Sequence, residues 1–201
     1  MEGGSYGALT ISNNGTITDV DFSRFSSVTI SNCSAVKSVV QSDNTTNLTS
    51  LTINNCTALT SLTVYVDKLT NLNLSGCTNL SSLTLKGTDF TKLTKLNLYR
   101  TKVAYITYDS GTDTTCLDLS RFTNLGTSTN SSVTYVRLDG NSEVQEIQFR
   151  NSQTSPMYLV YTLQNCTKLR RVYGNISVHV TNCFYGLRNF SVHGSDLSSA
   201  T

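Results

Sequence analysis

Charge is scarce in this 201-residue chain. Charged residues make up 14% of it, and 15 basic and 13 acidic residues leave a formal net charge of +2, whereas an average soluble domain holds about 25% charged residues. Such a weak overall electrostatic field argues against nucleic acid or an anionic membrane as the main partner. No apolar run approaches the roughly 20 residues that span a bilayer, so we expect no membrane insertion by this segment.

Motifs for catalysis or metal binding are also missing. The sequence has no Cys-x-x-Cys pair, no His-Glu-x-x-His and no phosphate-binding P-loop, and its two histidines are His179 and His193. Polysaccharide-cleaving enzymes with coiled β folds need clustered carboxylates or a strong base in a groove. The 13 acidic residues of this chain provide few candidates for such a cluster. We therefore expect a protein that is not an enzyme and uses no cofactor or metal; a polysaccharide-acting enzyme is the less favoured alternative.

What the sequence has in abundance is small polar side chains: 31 Thr, 27 Ser and 19 Asn. Against this background one pattern recurs, namely apolar-x-apolar-x-x-Cys-x-x-apolar. It is clearest in residues 28–36, 51–59 and 72–80, and later copies begin at residues 117, 136 and 161. The Cys position or its substitute falls at residues 14, 33, 56, 77, 101, 122, 141, 166 and 183, a mean spacing of about 21 residues.

This period predicts a solenoid. Alternate residues of each strand point inward, and no single coil can bury its own apolar face, so neighbouring coils must stack. The runs between the copies, such as residues 62–66 and 83–85, are rich in β-branched residues and too short for a regular helix. We predict one β-rich solenoid domain over residues 1–201, with about nine rungs and little or no regular α-helix.

Two segments carry a resemblance to a known family. They are Cys56-Thr-Ala-Leu59-Thr-Ser-Leu62-Thr-Val64 and Cys77-Thr-Asn-Leu80-Ser-Ser-Leu83-Thr-Leu85, which follow a Cys-x-x-Leu-x-x-Leu/Ile-x-Ile rhythm. Over roughly residues 9–192 the chain resembles the leucine-rich-repeat superfamily, and within it the bacterial BspA-like surface repeats. The resemblance implies a horseshoe or right-handed coil. Together with the low charge and high Ser, Thr and Asn content, it leads us to expect an extracellular or cell-surface location.

Five of the six cysteines share one repeat position, which Asn14, Thr101, Phe122 and Asn141 occupy in other copies; the five are Cys33, Cys56, Cys77, Cys166 and Cys183. A position that accepts these residue types is predicted to be an inward corner, filled by a buried, inert thiol or by a polar side chain that bonds its own backbone. Disulfides between rungs and a metal site are the alternatives. Cys116 precedes an inward leucine and is a candidate for an exposed thiol.

The outward positions of stacked strands form columns on one face, which is the usual recognition surface of a solenoid. The N-terminal rungs offer mostly Thr, Ser and Asn, whereas aromatic and charged residues appear from residue 95 onward. Aromatic and Arg side chains are common interface anchors, and Tyr beside Asn and Asp would suit a sugar. We therefore predict a ligand-binding set of Lys95, Tyr99, Asp118, Arg121, Tyr135, Arg137, Asp139, Gln164 and His179. Stacking also predicts an ion pair between Asp118 and Arg137.

Two functions remain open at this point. The first is a non-catalytic recognition module, on a surface or secreted, that binds an extracellular protein or a glycan through the face of stacked strands. The second is a structural spacer or fibre segment of an adhesin or phage appendage. A patch of specific side chains favours the first, and a uniform Ser, Thr and Asn coat favours the second.

Overall fold

The computed structural model describes residues 6–42, 47–109, 111, 114–125, 136–149 and 163–174, and the backbone of residues 191–193. Within these ranges every regular element is a β-strand, and no helix occurs. This described part therefore contains no helix that could cross a membrane.

Six parallel strands form one sheet, which we call the front sheet. In order across the sheet they are β1 (Tyr6–Ser12), β3 (Phe25–Ser31), β5 (Ser50–Asn54), β7 (Asn71–Asn73), β9 (Lys95–Asn97) and β12 (Val136–Arg137). The strands form because apolar and polar residues alternate and Thr and β-branched side chains fit a pleated, half-buried surface. In β3, Val28 and Ile30 are buried and Thr29 faces outward.

The chain returns through shorter strands in three further sheets, which we call the return sheets. One pairs β2 (Asp19–Asp21) with β4 (Ser38–Val40). The second contains β6 (Ser61–Tyr65), β8 (Ser82–Lys86) and β10 (Ile106–Tyr108), and the third contains β11 (Leu117–Asp118), β13 (Glu146–Gln148), β14 (Arg171–Tyr173) and β15 (Ser191–His193). All pairings between these strands are parallel, so the molecule is a parallel β-solenoid.

The core lies between the front and return sheets. The registers place one apolar residue above another along the front sheet, as in Val28, Leu51 and Leu72, and the return strands do the same with Leu62 and Leu83. These five side chains are at most 3% exposed. The predicted β-rich solenoid is thus confirmed.

The prediction of nine rungs is wrong, because the molecule has about six turns. Residues 117–125 carry the repeat spacing, yet β11 pairs with the return strand β13, and β9 pairs directly with β12. Consequently Asn141 lies one turn beyond Thr101, its Nδ2 donating to the Thr101 Oγ1 at 3.5 Å, although the two residues are 40 positions apart. That turn is about twice the length of the others.

The corner after each front strand is held by a residue with positive φ. These residues are Asn13, Asn32, Asn55, Gly76, Arg100, Gly140 and Asn165. Asn and Gly reach the left-handed region at the lowest cost. The asparagines also stack: Asn32 Nδ2 donates to Asn13 Oδ1 at 3.1 Å, and Asn55 Nδ2 donates to Asn32 Oδ1 at 2.9 Å. Arg121 takes the corresponding place in the 117–125 copy, and its φ is not positive.

From Asn32 onward, the residue after each left-handed corner residue is buried in the core. Cys33, Cys56, Cys77 and Cys166 are fully buried there as reduced thiols. The Cys77 Sγ donates to the Ile53 carbonyl of the preceding turn at 3.3 Å. The polar substitutes bond the backbone: Asn141 Oδ1 accepts from the Glu143 and Val144 amides at 2.9 and 3.0 Å. Cys116 is also buried, at 9% exposed, so it is not the exposed thiol that the alternation suggested.

Burial of these thiols predicts that the folded state loses stability at alkaline pH. The pKa of the Cys77 thiol is raised by its hydrogen bond with Cys56 and by burial. Below the ordinary thiol pKa of about 8.5 the folded and unfolded states both hold this proton. Above it the unfolded state loses the proton first, so the free energy of unfolding should fall by about 1.4 kcal/mol per pH unit for this thiol.

The measurement is urea unfolding of the reduced protein between pH 7 and pH 10. The matched variant is Cys77→Ala, which should show a smaller decline above pH 8.5. An identical decline in both proteins would mean that Cys77 does not contribute to it.

Candidate ligand-binding face

The outward face of the front sheet divides into two parts. From Ser27 onward in β3, and over β5 and β7, its columns contain only uncharged polar side chains, namely Ser27, Thr29, Ser31, Ser50, Thr52, Asn54, Asn71 and Asn73. These side chains are half-buried between their neighbours. Phe25, at the start of β3, contacts the Tyr6 ring of β1 instead. The part over β9 and β12 differs in chemistry, because it carries aromatic and charged residues.

Three of the predicted site residues meet at this second part. The Arg137 Nε and Nη2 donate to the two carboxylate oxygens of Asp139 at 2.7 and 3.1 Å. The Arg137 guanidinium carbon also lies 4.1 Å from the centre of the Tyr99 ring. The Asp139 side chain is 12% exposed and that of Arg137 is 42% exposed. The Asp139 carboxylate therefore fixes the position of the guanidinium and raises the pKa of Arg137.

Arg100 belongs to the same group, although no outward column predicted it. It is the corner residue after β9, with φ of 54°, and its guanidinium carbon lies 5.0 Å from the centre of the Tyr99 ring. Arg100 is exposed and forms no ion pair within the described ranges. The signal that could have identified it is its place at the left-handed corner, directly after Tyr99. We call Tyr99, Arg100, Arg137 and Asp139 the Tyr99 cluster.

Two more predicted residues border this cluster. Lys95 begins β9 and is exposed, one register position before the buried Leu96. Gln164 lies on the turn after Asp139: its main-chain oxygen accepts a hydrogen bond from the Gly140 amide at 2.7 Å. The backbone pairing places Tyr99, Asp139 and Gln164 on successive turns of the outer column. The repeat spacing predicts Ser120 between Tyr99 and Asp139, which is wrong because β11 joins the return side.

Asp118 and Arg121 are not part of this face. Asp118 lies in β11 beside Gln148 of the return strand β13. Its carboxylate accepts from the Ser120 amide at 2.9 Å and approaches the Arg121 Nε at 4.0 Å. The expected pair between Asp118 and Arg137 consequently does not form.

An aromatic group packs this segment against the return strand β10. Phe122 takes the corner position that Cys occupies elsewhere, and its ring packs edge-on against Phe90 at 5.8 Å between centres. Tyr108 contacts both rings, and Arg121 lies 4.5 Å above the Tyr108 ring. Burial, and to a lesser extent the nearby Asp118, raise the pKa of Tyr108. The Tyr108 hydroxyl also donates to the Asp118 carbonyl at 2.6 Å, so both the rings and this hydrogen bond hold residues 118–122 beside β10.

Tyr135, His179 and Cys183 lie outside the described residues. Of the nine predicted ligand-binding residues, the structure thus brings Lys95, Tyr99, Arg137, Asp139 and Gln164 to one face, and it places Asp118 and Arg121 on another.

A separate pocket of about 310 Å³ opens between β4 and β6. No backbone ladder joins these two strands; instead the Gln41 Oε1 accepts from the Tyr65 amide at 3.0 Å. The pocket is lined by return-strand residues, including Ser38, Ser61 and Thr63. It does not include any residue of the Tyr99 cluster.

The fold and the face define the molecule as a parallel β-solenoid whose front sheet is largely polar and carries a cationic cluster around Tyr99 at β9 and β12. Comparisons of the chain with protein-family models, with curated proteins and with solved structures found no match.

Proposed function

We propose that this solenoid is a non-catalytic recognition module, which binds an extracellular protein or glycan through the front sheet. The observation that carries the proposal is the Tyr99 cluster. A buried carboxylate holds Arg137 in place against Tyr99, so the aromatic and guanidinium groups are ordered before any ligand arrives. Preorganised Tyr and Arg side chains lose little entropy on binding and are frequent interface anchors.

The setting of the module forms part of the same proposal. Its repeat segments resemble those of leucine-rich-repeat proteins of the BspA-like type, and its composition suits a protein outside the cell. We therefore place it on a cell surface or among secreted proteins. A nucleic-acid partner is disfavoured, because the cations of the face are confined to one end and do not form a stripe that could follow a phosphate backbone.

A structural spacer is the second candidate. It is favoured by the front columns over β3, β5 and β7, whose uncharged Ser, Thr and Asn side chains repeat without a distinctive patch. In that function the solenoid would supply length, and the Tyr99 cluster would serve only to pack the turn between β9 and β12.

A binding screen separates the two functions. The immobilised protein would be tested against a glycan array and a panel of extracellular matrix proteins, with Tyr99→Ala as the test variant and Thr52→Ala as the matched control on the same face. We expect at least one ligand whose affinity falls about tenfold or more in Tyr99→Ala, as hot-spot residues show, and is unchanged in Thr52→Ala.

Two outcomes would contradict the proposal. Ligands that bind both variants equally well would place recognition away from the Tyr99 cluster. No binding on either panel would favour the spacer.

A further inference from the structure

The charge on the front face is concentrated at one end. Over β3, β5 and β7 the outward positions are uncharged. At β9, its corner and β12, the face carries three cations, Lys95, Arg100 and Arg137, and one carboxylate, Asp139. This end therefore has an excess of two positive charges, which equals the formal net charge of +2 for the whole chain.

The two guanidinium groups retain hydrogen-bonding capacity. A guanidinium has five N–H donors, and Arg137 spends one from Nε and one from Nη2 on Asp139. Its other donors lie on the edge away from that carboxylate. Arg100 is exposed and has no ion pair in the described ranges. The guanidinium carbons of both arginines lie within 5.0 Å of the centre of the Tyr99 ring, so the two cations adjoin one aromatic side chain.

A guanidinium is a planar fork of donors that matches the two oxygens of a carboxylate. An oxyanion at this end of the face would offset its excess positive charge and use donors that Asp139 leaves open. A neutral ligand would not offset the charge. The chemistry therefore selects for a negatively charged group on the ligand.

The rest of the face indicates what carries that group. Parallel strands are about 4.8 Å apart, so the hydroxyl and amide columns of β3, β5 and β7 form a regular array of donors and acceptors next to the cationic end. A polyhydroxylated chain can bond such an array repeatedly. A peptide partner would need apolar pockets for its anchors, and the outward positions from Ser27 onward in β3 and along β5 and β7 hold no Leu, Ile, Val or Phe. The one apolar residue of that parity, Phe25 at the start of β3, packs against Tyr6 of β1.

We propose that the ligand of the front face is an acidic polysaccharide, whose carboxylate groups are bound by Arg100 and Arg137 at the Tyr99 cluster. This inference rests on the proposed recognition function and names its ligand class. The exposed guanidinium of Arg100 can bind a carboxylate without rearrangement. Arg137 binds with the N–H donors that Asp139 does not use.

The test compares charged polysaccharides with an uncharged counterpart. The probes are polygalacturonate, alginate and hyaluronan, with fully methyl-esterified polygalacturonate as the uncharged counterpart and poly-L-glutamate as the peptide control. Affinity is measured by isothermal titration or biolayer interferometry at 50 and 500 mM NaCl. We expect at least one uronate polymer to bind, the methyl ester to bind about tenfold more weakly or not at all, and the higher salt to weaken binding several-fold.

Variants identify the residues. Arg100→Gln should lower the affinity for the uronate polymer about tenfold, and Arg100→Lys should recover only part of it, because Lys keeps the charge without the planar fork. The matched control is Arg24→Gln, which removes the same charge from an exposed arginine before β3 and should not change binding. Arg100 forms no ion pair in the described structure, so circular dichroism should show an unchanged fold.

The outcomes distinguish this inference from the broader function. Equal binding of the polymer and its methyl ester, lost in Tyr99→Ala, would overturn the acidic ligand and leave the recognition module standing. Stronger binding of poly-L-glutamate would replace the polysaccharide with an acidic peptide. Absence of binding by all three uronate polymers would overturn the inference, and the glycan and matrix screen would then decide the recognition function by itself.

Discussion

Leu74→Asp is expected to unfold the central turns of the solenoid. Leu74 is fully buried, between front and return sheets, and its own amide donates to the Asn97 carbonyl of the next turn at 2.8 Å. The substitution loses about 1.5–3 kcal/mol of apolar burial and leaves a carboxylate without a partner in the core. We expect a total loss above about 4 kcal/mol, a large part of the stability of a typical domain.

The matched control is Asn73→Asp, one position earlier in the chain. Asn73 faces outward, and its Oδ1 accepts a hydrogen bond from the Ser75 amide at 3.1 Å, which an aspartate oxygen can also accept. Both proteins would be compared by circular dichroism and urea unfolding. If Leu74→Asp were as stable as Asn73→Asp, the inward and outward assignment of β7 would be incorrect.

Gly76→Ala is expected to have the second largest effect. Gly76 has φ of 73°, and a Cβ at this residue would lie 2.1 Å from the Asn55 Oδ1. An L-residue other than Gly pays about 1–2 kcal/mol in the left-handed region. The Asn55 side chain would also have to move, although its Nδ2 is bonded to Asn32. Together these costs should lower the free energy of unfolding by about 2–3 kcal/mol.

Two further variants separate the causes. Gly15→Ala is the control, because Gly15 has no heavy atom within 4 Å of an added Cβ; its stability should be close to that of the parent protein. Gly76→Asn tests the backbone, because Asn occupies this corner in other turns with φ near 54°. If Asn is tolerated much better than Ala, the backbone conformation dominates; equal losses would assign the effect to the contact with Asn55. A Gly76→Ala protein as stable as the parent would contradict the corner geometry.

The alternation of apolar and polar residues was enough to predict the strands and the core. Leu51, Ile53, Leu72 and Leu74 are all buried as expected, because successive side chains of a strand point to opposite faces whatever the strand pairs with. The same reasoning anticipated that the return runs are extended or form a short 3₁₀ turn rather than an α-helix, and β6 and β8 are extended. These features depend on local geometry, which the sequence displays directly.

The Tyr99 cluster was predictable only in part. Tyr99, Arg137 and Asp139 were expected on outward positions, but their mutual contacts require β9 to pair with β12. The repeat spacing placed residues 117–125 between those two strands. Arg100 was missed because it stands at a corner, where neither the inward nor the outward column includes it.

Stacked strands around an apolar interior follow from the repeat period and the side-chain types, because these are enough to tell which residues are buried. Which sheet each copy of the repeat joins does not follow from them. Leu117 and Val136 carry the same local pattern, yet Leu117 pairs with Ile147 on the return side and Val136 with Leu96 on the front. A strand's partner depends on contacts with residues far away in the sequence, here those of the 117–125 copy with Phe90 and Tyr108, and a local repeat contains no information about such contacts.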